Sequence, residues 1–268
     1  MNNQTTIEGV LTNRTRSKAP SAIQASATFA WRALLRIRYV PEQLFDVTLF
    51  PIIYLLMFTY LFGGAISGST GEYLNFVLPG ILVMTVSMIT MYTGLDLNKD
   101  IEKGVFDRFR SLPIWQPAVL VGALLVDTLR YLIASTIMVT LGYILGFRPE
   151  AGFTGIMMGI AILLLFSFSL SWIWTMLGII VRSEKALMAI SMMFLFPLTF
   201  LSNVFVDPST MPNWLQKFVE INPITFVVDA VRSLIHGGGN GEIMIVMYIS
   251  IALIVIFGPL TMYFFKHK

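Results

Sequence analysis

The chain has 268 residues, of which 56% are apolar and 12% charged, and its formal net charge is +3. Soluble domains carry about 25% charged residues, so this balance excludes a soluble domain and a disordered chain and reads as a membrane protein. Cysteine is absent, which excludes a disulfide scaffold and thiol chemistry.

In chain order, residues 1–19 read as a disordered cytoplasmic tail. No apolar core of signal-peptide length precedes Leu44, so this segment is expected to be retained. Residues 20–43 read as an amphipathic helix: Ile23, Ala27, Ala30, Trp31 and Leu34 recur at spacings of three and four, while Arg32 and Arg36 share another face. That pattern suits a helix lying on the cytoplasmic membrane surface, with Trp31 at headgroup level.

Six apolar runs follow, each near or above the roughly 20 residues that cross a bilayer. They cover about 44–66, 73–95, 118–147, 153–181, 186–206 and 243–265, within a transmembrane domain over 44–268. The runs are continuous and not alternating, which excludes an outer-membrane barrel and predicts an all-α membrane protein with six transmembrane helices. Fourteen of the 18 basic residues fall in the segment before the first span, the second and fourth connections and the tail, while the other connections hold only Arg148, Lys217 and Arg232. Basic residues near span ends stay on the cytoplasmic side, so both termini are expected to be cytoplasmic.

The second connection, 96–117, reads DLNKDIEKGVFDRFRSLPIWQP and is too charged for a simple turn. Phe106, Phe109 and Arg110 fall at helical spacing, Asp107 and Arg108 add both charge signs, Gly104 allows a sharp turn before them and Pro113 ends the helix. A short helix with protruding aromatics and mixed charge suits a groove on a partner protein. Arg182, Glu184 and Lys185 in the fourth connection form a smaller second contact. In the third span, Asp127 and Arg130 lie three apart on one helix face, where they either neutralise one another or form a proton or substrate site.

The external connection 207–242 is expected to form a re-entrant helical hairpin between spans five and six. Trp214, Phe218 and Ile221 make one apolar face; beyond Asn222 and Pro223, eight of the twelve residues from Ile224 to Ile235 are apolar, with Asp229, Arg232 and His236 opposite. Twelve residues make about 18 Å of helix, too short for a core near 30 Å, so this stretch lies at the interface or re-enters, and Val227 and Val231 are expected at shallow bilayer depth. Pro208, Pro212 and Pro223 break the segment, and the glycine-rich 237–241 releases it before the last span.

No GxxxxGK loop followed by Ser or Thr occurs, nor a GxSxG elbow. With two histidines, His236 and His267, and no cysteine, no metal site is expected, and neither is a catalytic residue or a nucleic-acid partner. Chemical energy, if used, comes from another chain.

Five motifs in order carry a family resemblance: YLNFVLPGILVMT (73–85), EKGVFDRFRSLPI (102–114), FPLTFLSNVFV (196–206), MPNWLQ (211–216) and NPITFVVDAVR (222–232). With these the chain resembles the permease subunits of type 2 ABC exporters, and among them the daunorubicin-resistance-like multidrug group. The resemblance implies a subunit of the bacterial plasma membrane that pairs with a second copy or a homologous permease. It also implies two ABC ATPase subunits that bind ATP and Mg, with no cofactor on this chain. It makes Glu102, Lys103, Gly104, Phe106, Asp107, Arg108, Phe109, Arg110 and Pro113 a coupling helix. The implied cargo is an amphipathic drug, antibiotic or lipid, and related permeases also export lipid-linked glycans. It further implies a cavity or lateral gate beside the first and fifth spans, where Tyr54, Phe58, Phe194, Phe196 and Phe200 are candidates for the substrate path; the 16 methionines suit apolar ligands. An ion-gradient-driven transporter has little support, because Asp127 and Arg130 are the clear ionisable residues within spans.

Overall fold

The computed structural model describes residues 21–39, 41–105, 117–238 and 241–267. Among them every long element is a helix. The expected coupling residues Phe106, Asp107, Arg108, Phe109, Arg110 and Pro113 and the tail 1–19 lie outside the described residues.

Helix α1 (Ala22–Tyr39) starts at a capping box: the Gln24 N–H donates to Ser21 Oγ at 3.3 Å, and the Ser21 N–H donates to Gln24 Oε1 at 3.2 Å. Ala25 and Ser26 are buried, whereas Ile23 and Trp31 are 82% and 63% exposed. The helix therefore packs on the bundle through its small residues and turns part of its expected apolar stripe outward.

Helix α2 (Pro41–Met57) runs on through a π-helical turn at Phe58–Phe62 and a last α-helical turn at Gly63–Ser67. Gly68, at φ +74°, reverses the chain, and Ser69 Oγ caps helix α3 (Thr70–Ile89) by accepting the Glu72 N–H at 3.2 Å. Thr90 interrupts the ladder: its hydroxyl donates back to Ser87 O at 2.6 Å and accepts the Trp174 Nε1–H at 2.9 Å. Such back-bonding bends helices, and the chain resumes as α4 (Met91–Glu102). Together α3 and α4 make a helix of 33 residues, about 50 Å long at 1.5 Å per residue. The helix thus runs past the expected end of the second span near residue 95, through the charged residues 96–102.

Helices α5 (Ala118–Leu145) and α6 (Gly152–Ile180) close around this rod. A Cβ on Gly94 of α4 would fall 2.2 Å from Trp174 O of α6, and one on Gly178 would fall 2.5 Å from Gly94 O, so these two backbones touch. Small residues at crossings supply the close packing that holds helices together where lipid offers no hydrophobic drive. Gly122 of α5 meets Phe29 and Ala30 of α1 in the same way.

Helix α7 (Glu184–Phe200) has 17 residues, about 25 Å, and the expected fifth span does not continue as helix over 201–206. There the carbonyls find side chains instead: Asn222 Nδ2 donates to Leu198 O and Leu201 O at 2.8 and 2.7 Å, and Tyr73 OH donates to Phe205 O at 2.9 Å. Helices α8 (Asn213–Ile221), α9 (Pro223–His236) and α10 (Gly241–His267) complete the chain. Among the described residues, five helices are long and apolar enough to cross a membrane: Leu49–Ser67, Thr70–Glu102, Ala118–Leu145, Gly152–Ile180 and Glu242–His267. The α3–α4 rod is the central one, mostly buried, while α10 and the α2 extension are peripheral and mostly exposed.

Candidate functional site: a lateral groove between two polar ends

On one side of the bundle, α2, the α3–α4 junction and α7 stand apart around an apolar groove of about 320 Å³. Phe50, Pro51 and Tyr54 line it from α2; Met84, Thr85, Met88, Ile89, Met91 and Tyr92 from the rod; and Met188, Met192, Phe196 and Phe200 from α7. Three of the expected path residues, Tyr54, Phe196 and Phe200, are thus in one wall system. Phe58 stacks on Phe205 with ring centroids 4.3 Å apart, and Phe205 lies 5.3 Å from Phe200, which stacks on Phe196 at 4.2 Å. Phe194 is exposed and is not part of this wall. The methionine pairs Met84/Met88 and Met188/Met192 were not singled out from sequence, although their spacing of four, which puts each pair on one helix face, is the signal that finds them.

At the Glu102 end, Arg130 Nη1 lies 2.7 Å from Asp127 Oδ1 and Arg130 Nη2 lies 3.1 Å from Asp96 Oδ2, and the Thr93 hydroxyl donates to Asp127. Asp127 and Arg130 are both buried. Asp96, read from sequence as part of a connection, is the residue that ties this pair to α4. These residues, with Arg32 and Asp100, surround a small cavity of about 60 Å³ between α1, α4 and α5. Glu102 and Glu184, on different connections in sequence, are brought together: the Glu184 N–H donates to Glu102 Oε1 at 3.2 Å, and Lys99 Nζ is 3.6 Å from Glu184 Oε1. Lys103 is exposed, Gly104 has φ +64°, and Arg182 and Lys185 flank Glu184 at the surface.

The opposite end is built by 201–206, α8 and α9. Asn222 caps α9 by accepting the Ile224 N–H at 2.9 Å, and Pro223 occupies its first turn. The polar residues of α9 are engaged by other elements: Arg232 pairs with Asp229 at 3.3 Å and donates to Phe76 O and Asn203 O, both at 3.2 Å. His236 meets Asn75 O at 3.2 Å. Val227 and Val231, expected at shallow bilayer depth, are fully buried in the main core, because α9 packs against α3, α6 and α10. The exposed apolar surface here belongs to α8, where Trp214 and Ile221 are 72% and 73% exposed beside Phe218. Between α7 and α8, hydrogen bonds from Ser209 hold the Asp207 carboxyl below the usual carboxylate range. Among the described residues no three His, Asp or Glu side chains gather as a metal site.

Long apolar helices packed around a groove describe a multi-pass membrane protein. The family model described as ABC-2 type transporter matches residues 24–236, and the chain belongs to that family as an ABC transporter permease. It is 47% identical over 260 residues, 97% of this chain and 92% of the relative, to the daunorubicin resistance ABC transporter permease protein DrrB1 of Streptomyces coeruleorubidus. It is 26% identical to the putative transport permease ycf38 of Cyanophora paradoxa, covering 79% of this chain and 74% of the relative. A probable doxorubicin resistance ABC transporter permease protein, DrrC of Mycobacterium tuberculosis, is 22% identical over 70% of this chain and 68% of its own length.

Proposed function

We propose that this chain is the transmembrane subunit of an ATP-driven exporter that moves an amphipathic drug or antibiotic, or a lipid, out of the cytoplasm or inner leaflet. A separate ATPase subunit binds ATP and Mg, and two copies of it serve a pair of permeases. The observation that carries this reading is the groove: its volume of about 320 Å³ sits within the range of roughly 300–1,000 Å³ for small-molecule sites. Its methionine and aromatic walls adapt to varied apolar ligands. The drug-resistance names of the relatives support the same cargo class.

In this reading the chain crosses a bacterial plasma membrane six times with both termini in the cytoplasm, α7 and 201–206 together making the fifth crossing. The exposed Ile23 and Trp31 of α1 lie in the cytoplasmic leaflet, and Trp214, Phe218 and Ile221 of α8 dip into the outer one. Residues Phe106, Asp107, Arg108 and Phe109 engage the ATPase, with Arg182, Glu184 and Lys185 beside them. The test is reconstitution of the chain with its ATPase subunit in inverted vesicles, followed by uptake of a fluorescent anthracycline and a fluorescent phospholipid. ATP-dependent accumulation of either supports the reading. Failure of the chain to bind the ATPase or alter its turnover overturns it.

A further inference from the structure

The last two turns of α4 make polar contacts with four other helices. Asp96 meets Arg130 of α5, and Asp100 lies 3.5 Å from Arg32 of α1. Asn98, itself buried, donates through Nδ2 to Gly178 O at 2.9 Å and Val181 O at 2.7 Å, at the C-terminal end of α6. Glu102 accepts the N–H of Glu184, the first residue of α7. A helix end leaves its last carbonyls and first N–H groups without intrahelical partners, and here one turn of α4 supplies partners to the end of α6 and to the start of α7. The short turn 181–183 is therefore held from both sides by α4. One turn before Asn98, at the Gly94–Gly178 crossing, the backbones of α4 and α6 meet directly.

We propose that Asn98 and Glu102 are positioning residues that lock the α6–α7 turn onto the end of α4, so that α4 and α7 move as one body. The inference rests on the reading of the chain as an ATPase-driven permease. The segment expected to meet the ATPase begins a few residues beyond Glu102, and α7 carries Met188, Met192, Phe196 and Phe200 of the groove. With the lock, a displacement of α4 carries that wall along and changes the groove against α2. Without it, α4 turns under a stationary α7 and hydrolysis goes on without export.

The test uses the full permease–ATPase complex in vesicles. The cysteine-free chain accepts a pair, Lys99→Cys with Glu184→Cys, joined after folding by a short bifunctional thiosulfonate. A locked pair keeps transport at the level of the unlinked variant. Transport that stops on linking and returns with reductant overturns the lock. Independently, Asn98→Ala is expected to keep ATPase binding and basal hydrolysis while cargo moved per ATP falls about fivefold or more, the lower edge of ordinary coupling free energies; an unchanged ratio overturns the assignment. A wild-type complex that moves no cargo overturns the export reading and the lock with it, whereas a transporting wild type beside a blocked cross-link overturns the lock alone.

Discussion

The guanidinium carbon of Arg232 stands 4.0 Å from the centre of the Phe76 ring. The same group donates to the Phe76 and Asn203 carbonyls and pairs with Asp229, so one side chain of α9 secures both α3 and the non-helical stretch after α7. A planar fork that stacks and donates in several directions is not replaced by an ammonium. Arg232→Lys is expected to lower the melting temperature in detergent, and Arg232→Met to lower it further, because Asp229 then keeps only the Asn203 amide and the Phe76 and Asn203 carbonyls lose their donor. An Arg232→Met protein that melts with the wild type would show the cluster to be incidental.

In the groove, Met188→Ala and Phe196→Ala each remove contact area that a bound apolar ligand would use. Loss of about 1–2 kcal/mol of burial corresponds to roughly tenfold weaker apparent affinity, read as the drug concentration that half-stimulates the ATPase. Phe194→Ala, on a residue outside the wall, is expected to leave that concentration unchanged. Equal effects of all three variants would separate the groove from the cargo.

Two carboxylates share one guanidinium at Asp96, Asp127 and Arg130, and this makes the three residues unequal. Asp127→Asn leaves Arg130 paired with Asp96, whereas Arg130→Met removes the guanidinium that the buried Asp127 and the partly buried Asp96 share. Breaking such a buried group costs about 3–5 kcal/mol when a charge is stranded. Arg130→Met is therefore expected to reduce the yield of folded protein far more than Asp127→Asn or Asp96→Asn. Comparable yields for all three, measured by size-exclusion chromatography, would contradict this asymmetry.

For topology, single cysteines at Ser17 and Ser209 are expected to differ on intact cells. An impermeant maleimide should label Ser209→Cys, between α7 and α8, and spare Ser17→Cys. The reverse pattern would invert the proposed orientation.

The helical architecture was legible because long uncharged runs have few other solutions in a bilayer, and the starts of α3 and α7 were within a few residues of the expected spans. What sequence did not disclose was where charge stops being a boundary. Asp96, Asn98 and Asp100 look like the edge of a span, yet each is matched by a partner on another helix, so the helix continues. In α9 the polar residues could be placed on one face, but their partners, Asn203 and the Phe76 carbonyl, are remote in sequence. Of the groove's aromatic residues, Tyr54, Phe196 and Phe200 were named from sequence, whereas Phe50 and Tyr92 were not. Met84, Met88 and Met91 of the rod, at spacings of four and three, share one helix face, and only the structure shows that this face turns to the groove.

The 33-residue rod of α3 and α4 bears Tyr73, which holds the stretch after α7, and Phe76, which holds Arg232 of α9, near one tip, and Asn98 and Glu102 at the other. Angular phase between the two tips is set by nothing more than the number of residues between them. One inserted alanine would turn one tip by about 100° relative to the other while lengthening the rod by only about 1.5 Å. The two ends of the bundle are thus kept in phase by a count of residues, and one insertion or deletion within this helix should disturb both ends at once.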